Sequence, residues 1–180
     1  MVKKILAILT IAYMVITSIL PFAFGGGIDS GAVRYKSDGD IYYLDSEALA
    51  LSDSSDANTG LRAEAIEASN IINDIRDDAG LDGLDWNQNL ETVSSVRAKE
   101  CSDDFSHTRP NGKSWNTVNS KIQGGENLAY GFETAEETVG AWMDSPTHKD
   151  NILYGDFTQG AISIYQDDSG IYYWANEFGY

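Results

Sequence analysis

The chain has 180 residues, of which 28 are acidic and 12 are basic, and its formal net charge is −16. A surface this acidic repels phosphate backbones and anionic lipids over a Debye length of about 8 Å, which argues against binding to nucleic acid. Cys101 is the only cysteine of the sequence, so the chain cannot form an intramolecular disulfide. We therefore expect a monomer that is stabilised by an ordinary hydrophobic core.

The N-terminus has the organisation of a secretory signal peptide. Lys3 and Lys4 precede an apolar run over residues 5–24, and Ala23-Phe-Gly25 offers small residues for cleavage. This pattern predicts a signal peptide over residues 1–25 and therefore secretion to the extracellular space. The alternative is an uncleaved anchor, because residues 5–24 are just long enough to span a bilayer and would hold the protein on the outer face of the cell membrane.

Residues 26–60 are rich in Gly, Ser and Asp, a composition that is typical of a linker. Within this segment, Asp38-Gly39 lies between two apolar and aromatic runs, which predicts a β-hairpin over residues 32–44. A lone hairpin is marginally stable in water, so this one would either dock on the main domain or stay loose.

The main domain is predicted over residues 61–180, and it begins with two helices. Apolar residues three and four apart over residues 61–79 indicate one helical face, and Gly80 follows where a helix ends. A second helix is predicted over residues 88–103, with Asn87 as its N-cap. Cys101 falls on the apolar stripe of that helix, so we expect a small buried hydrophobe rather than a reactive thiol.

The second half of the domain combines short helices with two strands. A short helix over residues 114–122 would bury Trp115, a capping box at residues 134–137 opens another helix, and Ser145-Pro146 opens a third. Strand-like runs follow at residues 160–165 and 171–178. The sequence thus predicts an α+β fold with helices packed on a small antiparallel sheet.

Three dense motifs carry the residues that are chemically most informative. The sequence has two histidines, His107 and His148, and Glu126 lies between them beside two glycines. An imidazole can bind a metal or exchange a proton near neutral pH. Each of the three residues could instead have a structural role, such as fixing a turn or bonding to the backbone. The motifs are Phe105-Ser-His-Thr-Arg-Pro-Asn-Gly112, Gly124-Gly-Glu-Asn-Leu-Ala-Tyr130 and Trp142-Met-Asp-Ser-Pro-Thr-His-Lys-Asp-Asn-Ile-Leu153.

In this order, the motifs resemble the bacterial, SCP-like branch of the CAP superfamily, which groups cysteine-rich secretory proteins, antigen five and pathogenesis-related proteins. The resemblance covers about residues 61–180. It implies an α-β-α sandwich, the CAP fold, with a central cleft lined by two histidines and two acids.

Carried over by motif, His107 matches the first cleft histidine and Glu126 matches the first cleft acid. Ser145 stands where the animal and plant members have the second acid, and residues 155–158 lack their second histidine. We therefore expect His148 to enter the cleft instead.

We expect a secreted binding module whose cleft, formed by His107, Glu126, His148 and Ser145, captures an extracellular lipid, peptide, glycan or other small molecule. One alternative is a zinc-dependent hydrolase of peptides or cell-wall material, with His107 and His148 as zinc ligands and one open position. The other alternative is a structural surface domain without cleft chemistry. The sequence lacks Gly-x-Ser-x-Gly and His-Glu-x-x-His motifs, so we expect binding rather than catalysis.

Overall fold

The computed structural model describes residues 25–36, 42–52 and 59–180. The predicted apolar leader over residues 5–24 and the Asp38-Gly39 turn lie outside these ranges. Within them, no helix combines the length and the apolar character that are needed to cross a membrane.

The described residues form five helices and a six-stranded sheet, which confirms the predicted α+β class. The helices are α1 (Ser46–Ser52), α2 (Thr59–Asp78), α3 (Gln88–Asp103), α4 (Ala135–Asp144) and α5 (Pro146–Ile152). The strands are β1 (Gly27–Ile28), β2 (Val33–Arg34), β3 (Asp85–Trp86), β4 (Gly125–Tyr130), β5 (Gln159–Gln166) and β6 (Tyr172–Gly179).

The sheet has the order β1-β4-β6-β5-β3, and β2 also pairs with β4. All pairs are antiparallel except β3 with β5. The predicted C-terminal hairpin is the β5–β6 pair at the centre of this sheet. Its long ladder joins Gln159 to Gly179 and Gln166 to Tyr172.

Helices cover both faces of the sheet, as in the expected sandwich. Successive side chains of a strand point to opposite faces. Trp174 packs in the main core with residues of α2, α4 and α5, whereas Ala175 packs with Ala98 and Cys101 of α3. Neighbouring residues of β6 thus pack into cores on opposite faces of the sheet.

The helix boundaries follow the capping signals of the sequence. Asn87 caps α3 by accepting hydrogen bonds from the N–H groups of Asn89 and Leu90. Gly80, just beyond α2, has a φ of +75°, which is the left-handed conformation that glycine tolerates at a helix end. Cys101 is buried as predicted, and burial raises the pKa of its thiol to about 12.

The helix predicted over residues 114–122 is wrong beyond its first turn. Only Trp115–Thr117 forms a 3-10 turn, although Trp115 is buried as expected. The chain then leaves helical geometry because its backbone pairs with the segment before α1. Val118 O accepts a hydrogen bond from Asp45 N, and Ser120 N donates to Tyr43 O.

Residues 25–36, which look like a linker by composition, extend the sheet instead. β1 pairs with Tyr130 and Ala129, and β2 pairs with Glu126 and Gly125. The turn of the hairpin predicted over residues 32–44 lies outside the described residues, and the described parts of that range pair elsewhere: Val33 pairs with Glu126 of β4, and Leu44 bridges to Asn119. The open edge of β4 offers unpaired N–H and C=O groups, and pairing with them satisfies the N-terminal backbone better than a lone hairpin would.

Candidate functional site

His107 lies in the loop after α3, and its ring is held between a buried carboxylate and the N-terminal segment. Its Nδ1 is 2.6 Å from Glu126 Oε1, and its Nε2 is 2.7 Å from Gly31 O. The Nε2 atom also contacts a carboxylate oxygen of Asp29. Since all these neighbours are acceptors, both ring nitrogens carry protons and the ring is an imidazolium. Burial opposes this charge, but the hydrogen bonds of Asp29 and Glu126 raise the pKa of His107 to about 10.

Glu126 is fully buried on β4, and an ion pair with Arg97 of α3 neutralises its charge. Arg97 Nε lies 2.7 Å from Glu126 Oε2, and both side chains are inaccessible to solvent. Burial alone would favour the neutral acid, but the charge of Arg97 and the hydrogen bond of His107 lower the pKa of Glu126 to about 2. Glu126 is therefore ionised at neutral pH and holds His107 in its charged form.

Sequence reasoning missed Arg97, although a signal existed. Arg97 follows Val93 by four residues and precedes Cys101 by four, so it occupies the buried stripe of α3. A charged residue at such a position requires a buried partner of opposite charge. Beyond Glu126, Arg97 donates to Glu100 and to Ser106 O, both at 2.6 Å.

His148 lies in the first turn of α5 and is fully buried. Its Nδ1 is 2.7 Å from Ser145 Oγ, and its Nε2 is 2.5 Å from Asp29 Oδ1. Ser145 and Pro146 begin α5 as predicted, but the Ser145 hydroxyl contacts His148 and makes no capping hydrogen bond. The backbone of His148 is held as well, because its carbonyl accepts from Asn127 Nδ2 at 3.1 Å.

Asp29 joins the two imidazoles. One of its carboxylate oxygens contacts His148 Nε2 and the other contacts His107 Nε2. Burial acts against its charge, but hydrogen bonds from His107 and His148 lower the pKa of Asp29 to about 2. The structure thus brings His107, His148 and, through their contacts, Glu126 and Ser145 into one network. No local signal marks Asp29, because an aspartate among Gly and Ser residues is ordinary loop composition.

A second buried acid, Glu177 of β6, lies behind the site beside Glu126. Its Oε2 accepts a hydrogen bond from Gln123 Nε2 at 3.1 Å. Burial and the charge of Glu126 raise the pKa of Glu177 well above its usual range. The pKa values of these two adjacent carboxyls thus shift in opposite directions, because Arg97 and His107 both contact Glu126.

In this arrangement the site does not fit a metal ion. Every ring nitrogen of the two histidines already faces a partner, and Asp29 occupies the space between their Nε2 atoms. Among the described residues, no group of three or more His, Cys, Asp or Glu side chains has the arrangement of a metal site. Zinc ligation by His107 and His148 therefore stays a prediction that requires Asp29 to move.

A large groove lies elsewhere in the molecule, away from the candidate site. A cavity of about 810 Å³ lies among α1, α2, α3 and β5, and none of His107, Glu126, Ser145 and His148 lines it.

Comparisons with known proteins agree with the fold. The chain is 30% identical over 115 residues to the uncharacterized protein YkwD of Bacillus subtilis, a match that covers 60% of this chain and 44% of that protein. The chain thus spans less than half the length of this curated relative.

Two solved structures resemble the protein. An outer surface protein of Borrelia burgdorferi gives a TM-score of 0.59 at 22% identity, covering 66% of this chain and 92% of that one. An extracellular protein containing a SCP domain from Bacillus anthracis gives 0.58 at 22% identity, covering 65% and 40%. At this identity the two structures support the fold alone. The sequence profile named Cysteine-rich secretory protein family, CAP, matches residues 70–178, which is more than half of the chain. The chain belongs to the CAP family.

Proposed function

We propose that this CAP domain is a binding module whose cleft captures a ligand through a carboxylate held between His107 and His148. One observation carries the proposal: the carboxylate of Asp29 contacts both imidazoles at once. In this proposal the carboxylate of Asp29, supplied by the chain itself, stands in for that of the ligand.

The electrostatics of the network suit such a ligand. Arg97, Glu126 and His107 are in contact in that order and alternate in charge. A group that binds the free side of the cationic His107 ring should therefore be negative. His107 is cationic at neutral pH because Asp29 and Glu126 both accept from its ring, and the bond from Nδ1 to Glu126 leaves Nε2–H directed at the ligand carboxylate. A hydrogen bond to a charged group contributes roughly 1.5–3 kcal/mol, so two imidazoles can hold an isolated carboxylate weakly and a larger ligand more tightly.

The proposed location is outside the cell. The predicted signal peptide and the two solved relatives, one described as an outer surface protein and the other as extracellular, support it. The cleft then meets its ligand at the pH of the medium, where Glu126 and Asp29 are ionised.

The test removes the internal carboxylate and supplies one from solution. The full chain has two histidines, so each ring gives its own resonances in an NMR spectrum. In an Asp29→Ala variant, we expect acetate to shift the ring resonances of both His107 and His148 with millimolar affinity. In the wild type and in the control Asp77→Ala, which changes an exposed acid of α2, the cleft stays occupied and acetate should have little effect. If acetate moved neither ring in Asp29→Ala, carboxylate capture would be refuted.

The same variant tests the zinc-dependent hydrolase. The hydrogen bond between Glu126 and His107 Nδ1 is an arrangement that orients zinc-bound histidines, which favours this candidate once Asp29 is removed. If the candidate is right, Asp29→Ala should retain stoichiometric zinc and the wild type should retain less. If neither protein bound zinc, the zinc-dependent hydrolase would be refuted.

A further inference from the structure

We infer that residues 25–36 are a built-in peptide ligand, and that the cleft recognises an extended peptide that carries an aspartate and adds to β4 as a strand. The inference rests on the proposed carboxylate capture and names its ligand class: a polypeptide of another molecule that presents an aspartate among small residues. Lipids and glycans, the other expected ligand classes, lack the regularly spaced N–H and C=O groups that this site binds.

The first support is the backbone pairing on either side of Asp29. β1 pairs with Tyr130 and Ala129 at one end of β4, and β2 pairs with Glu126 and Gly125 at the other. Residues 29–32 lie between these two short ladders and carry the carboxylate to the imidazoles. Strand addition of this kind is a recurring mode of peptide recognition, in which main-chain bonds give affinity and side-chain pockets give specificity.

The second support is that side chains of the domain bind the backbone of the segment. His107 Nε2 donates to Gly31 O at 2.7 Å, and Asn151 Nδ2 donates to Val33 O at 3.1 Å. Thr147 Oγ1 accepts from Ala32 N at 3.2 Å. Side chains from the loop after α3 and from α5 therefore bind two peptide units of the segment: unit 31–32 through both its C=O and its N–H, and unit 33–34 through its C=O.

The third support is a specific side-chain pattern. A Cβ atom on Gly27 would lie 2.7 Å from the Tyr130 ring, and one on Gly26 would lie 2.8 Å from the Phe132 ring, so a side chain at either position would force the facing ring to shift. Ile28 packs against the main hydrophobic core. The cleft thus selects two small residues, an apolar residue and then an acid.

The built-in segment also explains how such a site would be regulated. A tethered ligand has an effective concentration in the millimolar range, so it competes strongly with a free peptide. Its two ladders hold only two residues each, which makes local release easier than unfolding of the domain. A peptide from another molecule gains access when the segment is released.

The test measures peptide binding to the full chain by calorimetry. The probe is a peptide with the sequence of residues 25–36, blocked at both ends, and the comparison peptide carries Asn in place of its Asp. Gly27→Val with Asp29→Ala releases the built-in segment, because the new side chain collides with Tyr130 and the carboxylate is gone. The matched control is Gly25→Val with Asp77→Ala, since a Cβ on Gly25 meets no atom within 4 Å.

We expect the probe to bind the released chain at least about tenfold more tightly than it binds the wild type or the control, and the Asn peptide to bind at least about tenfold more weakly. The variant Asp29→Ala alone leaves both ladders intact, so its affinity for the probe should lie between that of the released chain and that of the wild type. This single variant also provides the test if the double variant fails to fold. Equal binding of the Asp and Asn peptides would overturn the inference, as would a probe affinity no higher than that of acetate. In either case, acetate binding to Asp29→Ala would still uphold the proposed function. Loss of acetate binding would refute both.

Discussion

The buried ion pair between Arg97 and Glu126 gives the sharpest stability prediction. Both side chains are fully inaccessible, and the Nε–Oε2 distance is 2.7 Å. Arg97→Met keeps a long side chain but leaves the Glu126 carboxylate in the interior with His107 as its remaining cation. Breaking a buried pair in this way costs about 3–5 kcal/mol in the free energy of unfolding, which corresponds to a fall in Tm of about 6–20 °C for a domain of this size.

The matched control is Arg62→Met. Arg62 also pairs with a glutamate of α3, at 2.6 Å from Glu91, but its side chain is 43% exposed. An exposed pair contributes at most about 1 kcal/mol. Urea unfolding, followed by tryptophan fluorescence, measures both variants. If Arg97→Met cost no more than Arg62→Met, the buried pair would not stabilise the fold as argued. The double variant Arg97→Met/Glu126→Gln should recover on the order of 1–3 kcal/mol of the sum of the single losses, because the carboxylate that Arg97→Met leaves without its buried cation is then replaced by a neutral amide.

Three further outcomes are expected. Asn87→Ala should lower the free energy of unfolding by about 1 kcal/mol through loss of the α3 cap, whereas exposed Asn89→Ala should change it by less than about 0.5 kcal/mol; equal losses would contradict the capping role. The pKa of His107 rises from 6.5 to about 10 on folding, so its contribution to stability is complete below pH 6.5 and is lost as the pH rises toward 10. His107→Gln should therefore flatten the fall of the urea midpoint between pH 6.5 and 10, and an unchanged slope would refute this assignment. The Cys101 thiol, buried with a pKa of about 12, should react with iodoacetamide at pH 8 only after unfolding; rapid labelling of the native chain would show that it is accessible.

The main elements were predictable because they depend on local signals. The stripe over residues 61–79 and the cap at Asn87 gave α2 and α3 nearly to the residue. The terminal hairpin followed from alternating apolar positions around a turn. The 3-10 turn at Trp115–Thr117 was mistaken for a longer helix because its continuation depends on pairing with distant residues, which local propensity does not encode.

Only part of the candidate site could be predicted from the sequence. His107 and His148 stood out because histidine is rare in this chain and both lie in dense motifs. Asp29 could not be found this way, because it is 119 residues from His148 and its surroundings look like a linker. Arg97 was overlooked because arginine is usually a surface residue; its place on the buried stripe of α3 was the signal that it pairs inside.

The pairing of β1 and β2 with β4 has a consequence for self-association. Together they cover the outer edge of β4 at Gly125, Glu126, Ala129 and Tyr130. An uncovered strand edge is a template on which another chain can pair, leading to aggregation. A molecule whose N-terminal segment leaves β4 thus exposes a sheet edge at the same moment as the proposed binding site. The net charge of −16 then also opposes self-association, because the acidic surfaces of two open copies repel each other. This repulsion acts until a ligand strand covers the edge.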